Sequence, residues 1–355
     1  MDVGFSDSQL ALRAAVRDVL TRECPPSVLR EVLVDPDRWR PMWKTALDLG
    51  WSALALFDEG LGVIELVAVL EECGAAAAPL PLLSSAGLAA GALLGAGDAG
   101  RAIQEELAAG AVGALGATRV GARGLEPSLH WTDGRLVGTT GPVADAERAD
   151  LLVLLARTEA AHVIAAVVRP GPGVELRPCE VVDPTRPLAE VVVDTVPELV
   201  LQVALSDALA VPLTAAAAEL VGVGARLLDI SVAHALSREQ FGQPIGSFQG
   251  LKHRLADCFV AVERARSLTY AAAMQVDDPD ASKAERWRAA LLAKAAAGEA
   301  ASEAARVAVQ VHGAIAMTWE HDVHLYLRRA WQSASLLGES RALYGEAGAL
   351  LVGAG

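Results

Sequence analysis

The sequence predicts a mainly α-helical chain interrupted by one β-domain. An N-terminal α-helical domain covers 1–110, a middle β-barrel or sandwich covers 111–200, and a C-terminal four-helix bundle covers 201–355. Three observations predict this layout. Alanine-rich runs with apolar residues at helical spacing fill both ends of the chain. Between them lie short apolar runs separated by Gly, Pro and Asp at intervals of roughly 8–12 residues, the pattern of an all-β unit. Finally, 53% of the 355 residues are hydrophobic and 21% charged, enough for a sizeable core built on small-residue helix packing.

The first zone starts at Ser6 or Asp7, either of which can cap a helix carrying Leu10, Leu12, Val16, Val19 and Leu20, stopped by Pro25-Pro26. A second helical run, Trp39 to Leu49, closes at Gly50-Trp51, and a third, Gly62 to Cys73, ends at Gly74. The stretch Pro79 to Gly100 is apolar and low in complexity. Its prolines, glycines and Asp98 favour short helices with Gly-rich connections over a membrane span. Arg101 to Ala109 adds one more helical piece.

From Ala111 to about Pro197 the period changes. VGALGAT, DLLVLLA, HVIAAVV and AEVVVDTV read as strands, and the Asp133-Gly134 pair inside Trp131 to Leu136 is a hairpin signal. From about Leu205 the chain turns helical again. Leu213 to Leu236 reads as a helix buried in a bundle. Phe248 to Ala273 places Phe248, Leu251, Leu255, Phe259 and Val262 on one face, Ala284 to Gln310 is a third helix, and the last ones run from His321 to Leu351.

Charge and cysteine usage exclude whole classes of function. A net charge of −14, without a Lys/Arg cluster, argues against a nucleic-acid partner. Cys24, Cys73, Cys179 and Cys258 lack metal or redox spacing and read as buried or free thiols of a reducing compartment. The N-terminus shows no basic-apolar-cleavage pattern, and the most apolar stretches are broken before about 18 residues. The expectation is a soluble, cytoplasmic protein without a membrane partner.

Two stretches carry chemistry. Ser237 to Gln249, SREQFGQPIGSFQ, sits at a turn between two antiparallel helices. An Arg, a Gln and free backbone amides at such a turn can hold a diphosphate, because a guanidinium gives paired charge-assisted hydrogen bonds and helix N-termini favour anions. An ordinary Gly-Pro turn with a solvated Arg would leave the same trace. The second stretch is Gln310 to Tyr326, QVHGAIAMTWEHDVHLY. His312, His321 and His324 invite a metal reading, but no carboxylate-histidine grouping at ligand spacing supports one. They are expected to pack and hydrogen-bond around the turn, with no metal, and Asp322 to pair with Arg328 or Arg329 on a helix surface.

Both stretches, and the order helices, β-domain, bundle, resemble the acyl-CoA dehydrogenases. SREQFGQPIGSFQ matches that family's Arg-x-x-Phe-Gly turn, and QVHGAIAMTWEHD is similar to members reading QVHGGIGFTWEHD. The resemblance covers nearly the whole chain and is strongest over the last 150 residues or so. It implies FAD shared across a subunit interface. Arg238 would pair with the diphosphate, Gln240, Phe241 and Gln249 would line its bed, and Gln310, His312, Gly313 and Ala314 would receive the adenosine end. Ala314 and Ala316 stand where the family usually has glycine.

The resemblance also exposes gaps. The family's catalytic base is a glutamate before a Gly in the last helical region, or, in a minority, on the helix preceding the Phe-Gly turn. Those positions hold Leu337 and Pro212, and Leu213 stands where many members have an Arg near the thioester. No catalytic residue is therefore assigned. Glu339, the nearest carboxylate to Leu337, and Glu219, two turns beyond Pro212, are the candidates for a displaced base, Glu339 if the last helix is shifted; the expectation for each is a solvated or capping group. The flavin-facing loop, TEPxAGSD in the family, is replaced over Leu115 to Pro127 by LGATRVGARGLEP, and a later WxxNG-like strand by Thr139 to Ala149.

Three accounts fit. The favoured one is the degenerate, non-catalytic subunit of a heteromeric acyl-CoA dehydrogenase. It resembles the actinobacterial α2β2 enzymes that act on steroid-derived or other bulky acyl-CoAs, with base, flavin bed and most of the substrate on the catalytic subunit. An electron-transfer flavoprotein as acceptor is implied by the family alone. The alternatives are a self-sufficient homomeric flavoenzyme with a displaced base, and a scaffold that binds no flavin.

Overall fold

A computed structural model describes residues 5–58, 61–118 and 125–352. Helix α1 (Asp7–Glu23) opens on a reciprocal cap: the Gln9 amide donates to Ser6 Oγ at 3.3 Å, and the Ser6 amide donates to the Gln9 side chain at 2.9 Å. There follow α2 (Pro26–Val32), α3 (Arg40–Asp48) and α4 (Val63–Ala75), then a wide-turned π-helical segment over Leu83–Ala90 and α5 (Gly97–Ala108). The low-complexity stretch is thus short helical pieces, buried throughout Leu83–Leu93 and exposed at Gly95 and over Gly97–Ala99.

Eight strands follow: β1 (Gly113–Gly116), β2 (Leu129–Thr132), β3 (Arg135–Ala144), β4 (Leu151–Thr158), β5 (Val163–Val168), β6 (Val174–Pro178), β7 (Leu188–Thr195) and β8 (Leu199–Gln202). They form one sheet in the order β6-β7-β3-β2-β4-β5-β8, with β1 paired to β4. Asp133 (φ 51°) and Gly134 (φ 77°) make the two-residue turn between β2 and β3; positive φ at both positions suits the twist of the flanking strands. β4 is buried on both faces. Leu152, Leu154 and Ala156 point into the sheet's own core with Leu136 and Val191, while Leu151, Val153 and Leu155 join the core shared with the helices. Six residues of the altered loop, 119–124, lie outside the described residues.

The C-terminal helices are α6 (Leu205–Ser237), α7 (Gln249–Asp277), α8 (Lys283–His312), α9 (Val323–Ser335) and α10 (Ser340–Leu351). By length and composition α6 could cross a bilayer, against the expectation that every apolar stretch is broken earlier. Its most apolar window is 94% buried inside the protein, the mark of a core helix. Its backbone approaches α4 very closely: a Cβ at Gly222 would lie 1.9 Å from the Glu71 carbonyl oxygen. The zones are also tied at α7's end, where the Asp277 carboxylate accepts from the Val63 and Ile64 amides at 2.8 and 3.0 Å, capping α4.

The apolar face expected on α7 needs correcting. Of Phe248, Leu251, Leu255, Phe259 and Val262 only Val262 is buried; Phe259 is 54% exposed, beside Val260. Leu255 and Phe259 line an open apolar groove with Leu228, Val232 and Leu236 of α6. The helical period is right, but the face it marks is divided: Leu251 and Leu255 are half-buried against the core, while Phe248 and Phe259 face outward.

One buried charge gives a pH signature. Lys294 of α8 is fully buried, and its Nζ donates to the Ala334 carbonyl at 3.1 Å. Burial pushes its ammonium down from 10.5 to about 7. The native state therefore sheds this proton near pH 7 while the unfolded chain keeps it to about 10.5. Stability rises with pH between those values, by an amount of order a few kcal/mol. Lys294→Met is expected to abolish that slope in urea unfolding measured from pH 6 to 9.

Candidate functional site

Helix α6 ends where Arg238 leaves the helical region (φ −79°, ψ 121°) and its carbonyl accepts from the Ile245 amide at 2.8 Å. That bond folds back a miniature hairpin, β9 (Glu239–Gln240) against β10 (Gln243–Pro244), with Phe241 (φ 54°) and Gly242 (φ 79°) at its tip. A left-handed phenylalanine is costly, and this one is 92% exposed, with its ring edge-on to Phe248. A 3-10 turn over Ile245–Ser247 then feeds α7 at Gln249. Arg238, Gln240, Phe241 and Gln249 are all exposed on this one protruding tip. Among the described residues the Arg238 guanidinium has no hydrogen-bond or ion-pair partner.

The second stretch meets the first at the same end of the bundle. Gln310 is exposed on the last turn of α8 and His312 is buried; Gly313 (φ 66°, ψ −144°) then breaks the helix into a 3-10 turn over Gly313–Met317. Ala314 is exposed, whereas Ala316 is fully buried. Imidazoles join the two stretches: the His312 ring centroid lies 4.3 Å from that of His234 on α6 and 4.8 Å from that of His321. His324 stands apart, edge-on to Trp319. The sequence groups His324 with the other two and carries no signal that brings in His234 from a different helix.

The two positions where the resemblance puts the base are apolar core. Leu337 is 8% exposed, in a left-handed conformation (φ 55°) between α9 and α10. Pro212 is buried inside α6, where a Cβ at Gly91 would lie 3.3 Å from its Cδ. Glu339 is exposed at the N-cap position of α10, without a side-chain capping bond.

Glu219 is neither solvated nor capping. It is buried with both oxygens on Arg186 at 2.5 Å, and it accepts from Ser333 at 3.1 Å and Arg329 at 3.4 Å. Burial alone would raise its pKa; the Arg186 charge and hydrogen bonds, with Arg329, overcome this and hold it at about 2. Such a carboxylate is too weak a base to take a proton at neutral pH. Arg329 is likewise no surface partner of Asp322: it is fully buried and bonds Asp183, while Asp322 pairs with Arg30 at 2.7 Å.

A cavity of about 770 Å³ opens at the foot of α6, lined by Ala92, Gln202, Asp207, Val211, Lys283 and Arg286 among others. Among the described residues Asp207 is the one carboxylate in its lining, and it is ion-paired with Lys283 at 2.5 Å.

Similarity to known proteins agrees with this geometry. A family model described as the acyl-CoA dehydrogenase C-terminal domain matches residues 203–340. The chain is 33% identical over 346 residues to acyl-CoA dehydrogenase IpdE2 of Mycolicibacterium smegmatis, covering 95% of this chain and 96% of that one. It is 32% identical to IpdE2 of Mycobacterium tuberculosis, covering 93% of each. Among solved structures, the Tcur3481-Tcur3483 steroid ACAD G363A variant matches with a TM-score of 0.88 and 25% identity, covering 98% of both chains. The ChsE4-ChsE5 complex from Mycobacterium tuberculosis matches with a TM-score of 0.85 and 27% identity, covering 99% of both chains. With a third of its residues shared along nearly its whole length, and with its helices, sheet and bundle in the same order, the chain belongs to the acyl-CoA dehydrogenase family.

Proposed function

We propose that this chain is the non-catalytic subunit of a cytoplasmic, heteromeric FAD-dependent acyl-CoA dehydrogenase, assembled as α2β2 with a catalytic chain. The single observation that carries this is the state of its carboxylates. Leu337 and Pro212, where the resemblance puts the base, lie in packed core, Glu219 is locked between arginines, and Glu339 points to solvent. The solved relatives named as a steroid ACAD and as a complex of two chains support a bulky, steroid-derived acyl-CoA as substrate and a second subunit as the chain that holds it. An electron-transfer flavoprotein takes the electrons in this reading.

The residues at the tip fit one side of FAD. Arg238 offers an exposed guanidinium with its donors unspent, suited to a diphosphate. Gln249 and Gln310 present exposed amides at the same end of the bundle, and the surface at Gly313 is open, with nothing within 4 Å of where a Cβ would stand. Bound FAD would supply the hydride acceptor for α,β-dehydrogenation of an acyl-CoA thioester. This chain's part is to bind and orient: Arg238 neutralises the diphosphate, and Phe241 and Phe248 shield the seam from water. The exposed apolar groove of α6 and α7 gives the catalytic subunit a surface to cover.

The test is the flavin content of the chain purified alone and co-produced with a neighbouring dehydrogenase gene. Colourless protein alone, and about one FAD per pair of chains together, is the expected result. One tightly held FAD per chain in a homomer would overturn it in favour of a self-sufficient enzyme, and no flavin in either preparation would favour a scaffold. In the heteromer, Arg238→Ala is expected to weaken FAD retention about 10- to 150-fold, the worth of one charge-assisted pair of about 1.5–3 kcal/mol. Equilibrium dialysis against FAD reads it directly.

A further inference from the structure

We propose that His234, His312 and His321 form a binding site for a divalent transition metal of the zinc, cobalt or nickel kind, stapling the ends of α6 and α8 to the start of α9. One ligand-capable atom of each lies within 4.8 Å of the others. Zinc-nitrogen bonds of about 2.0–2.1 Å in a tetrahedron need nitrogens about 3.4 Å apart. The rings must therefore close by roughly an ångström, a side-chain rotation and not a change of fold.

The strongest observation is the state of His312. Its Nδ1 lies 2.8 Å from the Ala308 carbonyl oxygen. A carbonyl only accepts, so Nδ1 carries the proton and Nε2 is left as a bare lone pair. That Nε2 is buried without a hydrogen-bond partner among the described residues, on a side chain 7% exposed. An orphaned buried acceptor costs stability and calls for a reason. A metal ion supplies one, and the bond from Nδ1 to a backbone carbonyl is the outer contact that orients metal-binding histidines.

The other two rings bring half-exposed, adjustable ligands. His234 lies in the last turn of α6, and His321 accepts from the Val323 amide at 3.1 Å through Nδ1. Ligation by His321 exchanges that contact for the metal, or turns the ring to present its other nitrogen. Burial holds His234 and His312 below their ordinary pKa, against the Ala308 carbonyl bond that raises His312, which favours the neutral form that ligands need. The donor set is all imidazole, without carboxylate or thiolate, which selects borderline transition metals over magnesium or calcium. Arg238 is the nearby cation that opposes binding. The fourth position falls to water, since His234 and His321 are open to solvent. This inference does not depend on the catalytic or non-catalytic standing of the chain.

The experiment titrates Co2+ into the full chain, purified without a histidine tag and stripped with EDTA. Saturable binding of one Co2+ per chain is expected, with the visible absorption of a four-coordinate site that Zn2+ displaces. His234→Gln and His312→Gln should each weaken it about 100-fold, while His253→Gln, an exposed histidine on α7, should leave it unchanged. His234→Gln is the safer variant because its ring is only half-buried. No saturable binding, or an unchanged affinity in folded His234→Gln, overturns the proposal.

Discussion

Glu219→Gln is expected to destabilise the chain by about 3–5 kcal/mol, because it leaves Arg186 and Arg329 buried with their shared counter-charge removed. Arg186 is 2% exposed and Arg329 fully buried, so water cannot replace the carboxylate. Arg329 keeps Asp183, but Arg186 has only Asp145, at 3.9 Å. The same variant should lose an acid-sensitive component of stability. A carboxylate held at about 2 when folded, against 4.5 when unfolded, contributes about 3 kcal/mol above pH 4.5, and this is lost as pH falls from there through 2. Urea unfolding of parent and variant at points from pH 7 down to pH 2.5 measures both effects. A loss below 1 kcal/mol at pH 7 would show that the ion pair does not brace the sheet against the bundle.

Gly222→Ala should be comparably damaging, although alanine is the better helix former by about 1 kcal/mol. The added methyl would sit 1.9 Å from the Glu71 carbonyl and 2.8 Å from the Ala75 amide. Both are backbone atoms of one helix, so no side chain can swing aside and α4 must move away from α6. Separation opens gaps around Leu66, Val67 and Leu70, all fully buried, and overpacking of this kind costs about 1–3 kcal/mol or more. Gly74→Ala meets the Glu219 carbonyl at 2.1 Å and should behave alike. The double variant should cost less than the sum, since one separation relieves both clashes. Gly348→Ala on α10 has open space around it and should be neutral or mildly stabilising in the same thermal melts.

Local chemistry was legible in the sequence wherever it was decided within a few residues. Ser6 and Gln9 mark the start of α1, Asp133-Gly134 the hairpin, and Gly242 with Pro244 the end of the long helix. What escaped was decided across the chain. Glu219 finds its partners 33 and 110 residues away, and nothing in its surroundings on α6 distinguishes a buried ion pair from a solvated charge. His234 joins His312 because two helix ends meet in space. The period of α7 gave the apolar face but not which way it turns, since a core and an association surface read alike. Leu337 and Pro212 were legible as residues that cannot do acid-base work, because leucine and proline have no titratable group in any surroundings.

The burial of α6 also has a consequence for biosynthesis. Its residues leave the ribosome before those of α8, the helix that covers so much of it, and 75 residues (312 − 237) separate their ends. At about 5–20 residues per second that is a delay of about 4–15 s. During it a segment apolar enough to enter a bilayer has α4 and the π-helical segment, already made, and then α7 to shelter against. The close glycine contacts with α4 therefore matter before the fold is complete. They give the nascent helix an early home, and their loss would divert the chain toward aggregates before a native state exists to be measured.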